Sequence, residues 1–235
     1  MVQLTPSNPY LTLRVKFKKV GSLKYISHLD LVRTMMKIIV RAGLPLWYSP
    51  GFNPKPKLIF AAPLSIGTDS YTEYMDIKLI DDMPREVVKE RLNANMTDEM
   101  QVTEAYYATT KLTDLKWLRY IISIKTLGAD SDMAAGCEKA LLSDSVIIEK
   151  KTKPGEPTVT TNIAPLINSV KSLFSDGIIT LDCLLSADQS CFLNPEYVIK
   201  ALRSSMGILS CPDLTKEYYS ITRVGAYRAD MTDFH

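Results

Sequence analysis

The sequence predicts an α+β fold of two tandem halves, each running strand, helix, strand, strand, helix, strand. Three observations carry this. Short segments alternate apolar and polar residues with the period of a half-buried strand. Between them lie segments of helical period opened by capping or proline signals. The same order of segments occurs twice within 235 residues, a length that fits one large domain or two of about 100 residues.

The first strand covers residues 11–18, with Leu13, Val15 and Phe17 on one face and Arg14, Lys16 and Lys18 on the other. A turn at Gly21 ends it. Ser27 followed three places on by Asp30 has the form of a capping box, and the helix it opens keeps Leu29, Val32, Met36, Ile39 and Val40 on one stripe. Gly43 and Pro45 stop that helix, whose opposite face carries Arg33, Lys37 and Arg41 at i, i+4 and i+8. After a proline-rich loop come strands over 58–62 and 72–80, a helix from Pro84 to about Asn95, and a strand over 101–109. The second half is expected as strand 117–126, helix 131–142, strands 145–151 and 177–185, helix 195–206 and strand 217–224. Residues 152–176 form an insertion between its middle strands, with a helical stretch near 163–173.

This order is that of the ferredoxin-like split unit, so the expected domains are residues 1–110 and 111–235. Both helices of such a unit cover one face of an antiparallel sheet, and its first and third strands lie side by side. Arg14, Lys16 and Lys18 then share the other face with Tyr74, Asp76 and Lys78. Three readings of that face stay open: a platform on which a cation-flanked Tyr74 stacks single-stranded nucleic acid, an ordinary solvated strand face, or a face covered entirely by the second half.

Charge is distributed unevenly. Residues 1–60 hold ten Lys or Arg against Asp30 alone, a net +9, whereas the other 175 residues hold 18 bases and 25 acids, a net −7. Such polarity points to a polyanionic partner. Residues 1–10 have the character of neither a signal sequence nor a membrane anchor, and no apolar run approaches the roughly 18 residues that span a bilayer. A cytoplasmic location without membrane association is expected.

Cys137, Cys183, Cys191 and Cys211 form no CxxC pair, and His28 and His235 are the only histidines. That argues against a zinc site and for reduced, mostly buried thiols. The three-cysteine motif of a radical SAM cluster and the phosphate loop GxxxxGK are both absent from the sequence. No cofactor or metal is expected.

Two constellations are candidate sites. His28 stands one residue past the helix cap with Tyr25 and Asp30 as sequence neighbours, a set able to supply a general base and acid for metal-free RNA cleavage or to order a helix start. In residues 48–57 three prolines and Gly51 build a stiff hairpin that either presents Phe52, Asn53, Lys55 and Lys57 to phosphate and base together or packs Phe52 inward. The run Lys150–Lys153 is either a solvated turn or an extension of an anion track.

The strings Gly21-x-Leu-x-Tyr-Ile-Ser-His-Leu-Asp30, Arg41-Ala-Gly-Leu-Pro45, Tyr48-Ser-x-Gly-Phe-Asn-Pro-x-Pro56 and Pro63-Leu-x-x-Gly-x-x-Ser-x-x-Glu-Tyr-x-Asp76 resemble the radical-SAM-linked family of bacterial domains of unknown function. The resemblance is specific over residues 11–110 and looser beyond. It implies a domain found either fused behind a cobalamin-binding-type radical SAM enzyme or as a separate chain encoded beside one, and this chain looks like the separate form. Val40 stands where that pattern leads one to expect a second arginine, and Lys55 where it often has histidine. The latter removes a partner for His28. The expected function is a non-catalytic RNA-recognition module, for tRNA or ribosomal RNA, acting with a radical SAM protein. The alternatives are a metal-independent RNA-processing or RNA-modifying enzyme using His28, and a protein-binding accessory subunit.

Overall fold

The structure, a computed structural model, describes residues 10–150 and 159–235. The expectations for residues 1–9 and for Lys151–Lys153 of the basic run lie outside the described residues. The fold is α+β, with four α-helices and antiparallel strand pairing among those residues. They divide into two compact units, one ending at Asp114 but including Phe234–His235, the other Leu115–Asp233.

The first unit comprises β1 (Leu11–Lys19), α1 (His28–Arg41), β2 (Leu58–Phe60), β3 (Thr68–Leu79), α2 (Arg85–Asn93) and β4 (Met100–Tyr107). β1 lies between β4 and β3, and β2 pairs with β3. Alternation along β1 puts Leu13, Val15 and Phe17 against Met75, Ile77 and Leu79 of β3, all in one core with Leu31, Met35, Ile38 and Ile39 of α1 and Val88 and Leu92 of α2. Each such side chain stabilises the fold by roughly 1.5–3 kcal/mol on burial. The turn after β1 needs a glycine. Gly21 has φ +66°, and a Cβ there would come within 2.3 Å of the Glu99 carboxylate, which accepts hydrogen bonds from Ser22 N and Oγ at 3.0 and 2.5 Å.

α1 begins as the capping box implies, with Asp30 N donating to Ser27 Oγ at 3.1 Å and Ser27 Oγ donating to Asp30 Oδ2 at 2.7 Å. Its buried face differs from the expected stripe. Leu31, Met35, Ile38 and Ile39 face the core, while Leu29 and Val40 stand exposed. Apolar residues occur all round this helix, so periodicity alone leaves its phase open, and the sheet selects the 31, 35, 38, 42 ridge.

The second unit comprises β5 (Trp117–Lys125), α3 (Ser131–Leu141), β6 (Ile147–Lys150), β7 (Val159–Asn162), β8 (Ile167–Ser175), β9 (Ile178–Ser186), α4 (Glu196–Met206) and β10 (Tyr218–Tyr227). Its strands run in the order β10-β5-β9-β8, and β6 and β7 form a separate pair. This corrects two expectations. The strand near 145–151 pairs with β7 and not with β9, and the stretch near 163–173 is mostly strand β8, after a short 3-10 turn at Ala164–Leu166. Asp176 and Gly177, at φ 53° and 76°, make the two-residue left-handed turn that joins β8 to β9 in register.

Glu217 ties three loops of this unit together. Its carboxylate accepts from Thr126 Oγ1, from Leu127 N at 2.9 Å and from Cys211 N at 2.5 Å. These donors hold its pKa below the ordinary carboxylate value of 4.5, the Thr126 hydroxyl contributing most. A lowered folded-state pKa adds stability that is fully present above the unfolded value and is lost as pH falls through the folded one. Glu217→Gln is therefore expected to make thermal stability less sensitive to acidification below about pH 4.5, measured as the melting midpoint against pH beside wild type. Equal acid sensitivity of the two proteins would contradict this account.

The four cysteines are free. Cys137 and Cys183 are buried, and desolvation pushes the Cys183 thiol up to about 12, whereas Cys191 is exposed and Cys211 half-buried. The expectation of mostly buried thiols thus applies to two of the four. No helix among the described residues is long and apolar enough to cross a membrane.

Candidate nucleic-acid interface

The hairpin at residues 48–56 is closed at its base by pairing of Tyr48 with Pro56, by Ser49 N donating to Lys55 O at 3.0 Å and by Lys55 N donating to Ser49 Oγ at 3.2 Å. Pro50, Pro54 and Pro56 restrict φ along the loop, and Gly51 takes φ +121°, a value only glycine adopts without strain. Phe52 stands at the tip with a relative exposure of 111%, and Asn53 and Lys55 are exposed beside it. The inward-packed alternative for Phe52 is therefore not the one adopted.

Pro56 lies against α1. Together with Met36, Lys37, Val40 and Arg41 it lines a shallow groove of about 280 Å³. The exposed side of α1 thus adjoins the hairpin and carries Arg33, Lys37 and Arg41 interleaved with Leu29 (57% exposed) and Val40 (51%). Arg33 has a distant pair with Asp30, at 3.5 Å. Of the expected nucleic-acid residues, Lys37 and Arg41 line this groove, Arg33 stands exposed on the same helix, and Phe52, Asn53 and Lys55 are exposed on the hairpin to which Pro56 belongs.

Others go elsewhere. Arg14 is 0% exposed, and its five N–H groups are all used: Nε and Nη2 donate to the Asp76 carboxylate at 2.7 and 3.1 Å, and the rest go to Thr110 Oγ1, Thr110 O and His235 O. Phe234 stacks on its guanidinium at 4.8 Å and meets Tyr74 edge-on at 5.0 Å, leaving Tyr74 buried. The β1 and β3 face is therefore not an open platform around Arg14 and Tyr74 but is covered there by Phe234, His235 and Thr110. Arg14 and Tyr74 are both buried in this setting. Lys16 is half-buried in an ion pair with Glu104 at 2.8 Å, and Lys18 is half-buried nearby.

His28 is exposed at the start of α1 with its ring edge-on to Phe60 at 5.3 Å. Tyr25 is exposed under Lys24 Nζ at 5.5 Å, and Asp30 is taken up by Ser27 and Arg33. No hydrogen bond joins His28, Tyr25 and Asp30 among the described residues. Nor do the described residues hold any group of three or more His, Cys, Asp or Glu able to bind a metal ion.

Lys57 belongs to a second cluster that sequence reading missed. Lys78 N donates to Lys57 O at 3.3 Å, which sets the two residues opposite each other on β3 and the approach to β2, and Trp47 N donates to Lys78 O at 2.8 Å. Both ammonium groups lie over the ring of Tyr10, Lys78 at 4.7 Å and Lys57 at 6.0 Å, and Trp47 meets that ring edge-on at 5.1 Å. Desolvation lowers the pKa of Lys78, Asp76 acts in the opposite direction, and Lys57 and Arg14 add to the lowering. The spacing of Lys57 and Lys78 shows no pattern in the sequence, because their opposition depends on the register of β2 against β3.

No curated protein matches the chain. Among solved structures it is similar to a chain of a Cbf5–Nop10–Gar1 complex, with 9% identity and a TM-score of 0.51 over 91% of this chain and 48% of that one. It is also similar to a chain of the archaeal box H/ACA sRNP Nop10–Cbf5 complex, with 9% identity and a TM-score of 0.45 over 90% of this chain and 46% of that one. The chain spans about half the length of these matches, and at such identity the first likeness is one of fold alone. Residues 12–195, which carry the motif strings and the whole candidate interface, match a bacterial family described as "Uncharacterized protein conserved in bacteria (DUF2344)", and the chain belongs to that family.

Proposed function

We propose that this chain is an RNA-recognition module whose contact surface is the 48–56 hairpin together with the outer side of α1. The observation that carries this is Phe52, held wholly in solvent on a three-proline hairpin whose Pro56 shares a groove with Lys37 and Arg41 of α1. An exposed phenylalanine forgoes roughly 1.5–3 kcal/mol of burial energy. A stacked base recovers a comparable amount, about 1–3 kcal/mol, and does so for any base sequence. The hairpin's stiffness lowers the entropy lost on binding, and the bases of α1 neutralise the phosphates of the same strand. The strand orders β4-β1-β3-β2 and β10-β5-β9-β8 support the same proposal's architecture, two ferredoxin-like halves joined by the chain near residues 111–114. The radical SAM partner rests on the sequence resemblance alone, and recognition in place of catalysis is supported by His28 facing a phenyl ring.

Met36 and Val40 in the groove, with Leu29 exposed on the same helix, favour a second reading, a protein-binding accessory subunit. Ultraviolet crosslinking to uridine-rich single-stranded RNA, followed by peptide mass spectrometry, separates the two. The expected adduct lies on the hairpin tip, and Phe52→Ala removes it without changing the melting midpoint. Absence of any hairpin adduct would favour the protein-binding reading.

A further inference from the structure

We infer that Lys57 and Lys78, backed by Tyr10 and Trp47, form a subsite for a phosphoryl group on the sheet face turned away from α1. Side chains directly opposite across antiparallel strands emerge on the same face about 4.5–5.5 Å apart at Cβ, and like charges placed so are destabilising. Lys57 and Lys78 are such a pair, joined through Lys78 N and Lys57 O. Leu58 and Phe60, the alternate positions of β2, pack toward the helices, so Lys57 projects to the other side.

Among the described residues the local charge is not balanced. Asp76 is the acid acting on Lys78, and its two carboxylate oxygens are already engaged by Arg14 at 2.7 and 3.1 Å. Three cations thus meet one carboxylate. Lys78 is only 8% exposed, so water screens it poorly, and one of its three N–H donors goes to Thr12 Oγ1 at 2.6 Å. Lys57 Nζ has no acceptor among the described residues. A phosphoryl dianion placed between the two ammonium groups matches their charge and supplies acceptors to both, as lysines do for phosphate elsewhere. Tyr10 and Trp47 form the aromatic wall beside it, where a base or ribose attached to that phosphate would lie.

As a holder of RNA backbone phosphate this subsite rests on the recognition reading above; as a phosphoryl site it stands without it. Trp47 is the natural reporter, since its ring contacts Tyr10 directly. In a Trp117→Phe background, where Trp47 alone emits, inorganic phosphate and uridine 5′-monophosphate at millimolar concentration are expected to change the emission, and acetate at equal ionic strength is not. Lys57→Met, at an exposed position, is expected to weaken the phosphate response about 10-fold or more, as loss of one charge-assisted hydrogen bond implies. Lys78→Met is expected to do the same if it folds, and Lys57→Met decides if it does not. No response in wild type, or a response untouched by Lys57→Met, overturns the subsite. A uridine hexamer separates the two claims: if it binds no tighter than the monophosphate while the Lys57-dependent response persists, the subsite stands and the RNA reading falls.

Discussion

Asp76→Ala is expected to destabilise the first unit by about 3–5 kcal/mol, the cost of removing one partner from a buried ion pair. Arg14 and Asp76 have side chains 0% and 8% exposed and are joined at 2.7 Å. A guanidinium cannot shed its proton, so the substitution strands a full charge out of water, with Thr110 and the His235 carbonyl left as its acceptors. Urea denaturation reads the loss as a lower midpoint at unchanged slope. The double replacement Arg14→Met with Asp76→Leu is expected to recover most of it, because neither charge then remains buried. A loss below about 1 kcal/mol for Asp76→Ala would place this pair with exposed ones and show that water reaches Arg14.

The second large effect concerns binding. Replacing Arg33, Lys37 and Lys55 together with Glu is expected to lower affinity for single-stranded RNA by on the order of 10²-fold, as three exposed ion pairs of up to about 1 kcal/mol each imply. All three are exposed, and the 3.5 Å contact of Arg33 with Asp30 contributes little, so folding is expected to be unaffected. Gel-shift titration with melting curves measures both. An unchanged affinity would remove the outer side of α1 from the interface.

How much of this was legible depends on the range of the interactions involved. Ser27 and Asp30 announce the start of α1 because capping is local, three residues from donor to acceptor. Alternation in β1 announces its core face for the same reason. The fates of Arg14 and Tyr74 are not local: their partners lie at residues 110, 234 and 235, and nothing in the alternation of β1 and β3 says that those residues cover that face. The phase of α1 is intermediate, since its apolar residues encircle it and only packing selects Leu31, Met35 and Ile38 over Leu29, Met36 and Val40. The β8–β9 turn has a local signal, Asp176-Gly177 between two apolar segments, whereas the spacing of apolar residues over 163–173 suits a helix as well as a strand. In the candidate interface, the prolines and Gly51 marked the hairpin, but the Lys57–Lys78 pair needed a register that two separated segments do not disclose.

The central claim, that the hairpin and α1 hold a nucleic-acid strand by its phosphates, is tested most directly by the salt dependence of affinity for single-stranded RNA. Each phosphate neutralised contributes a log–log slope of about −0.7. Arg33, Lys37, Arg41 and Lys55 acting together predict a slope near −3 (roughly four contacts), falling in magnitude toward −1 in the variant with Arg33, Lys37 and Lys55 replaced by Glu. A wild-type affinity that does not change between low and physiological salt would contradict the account.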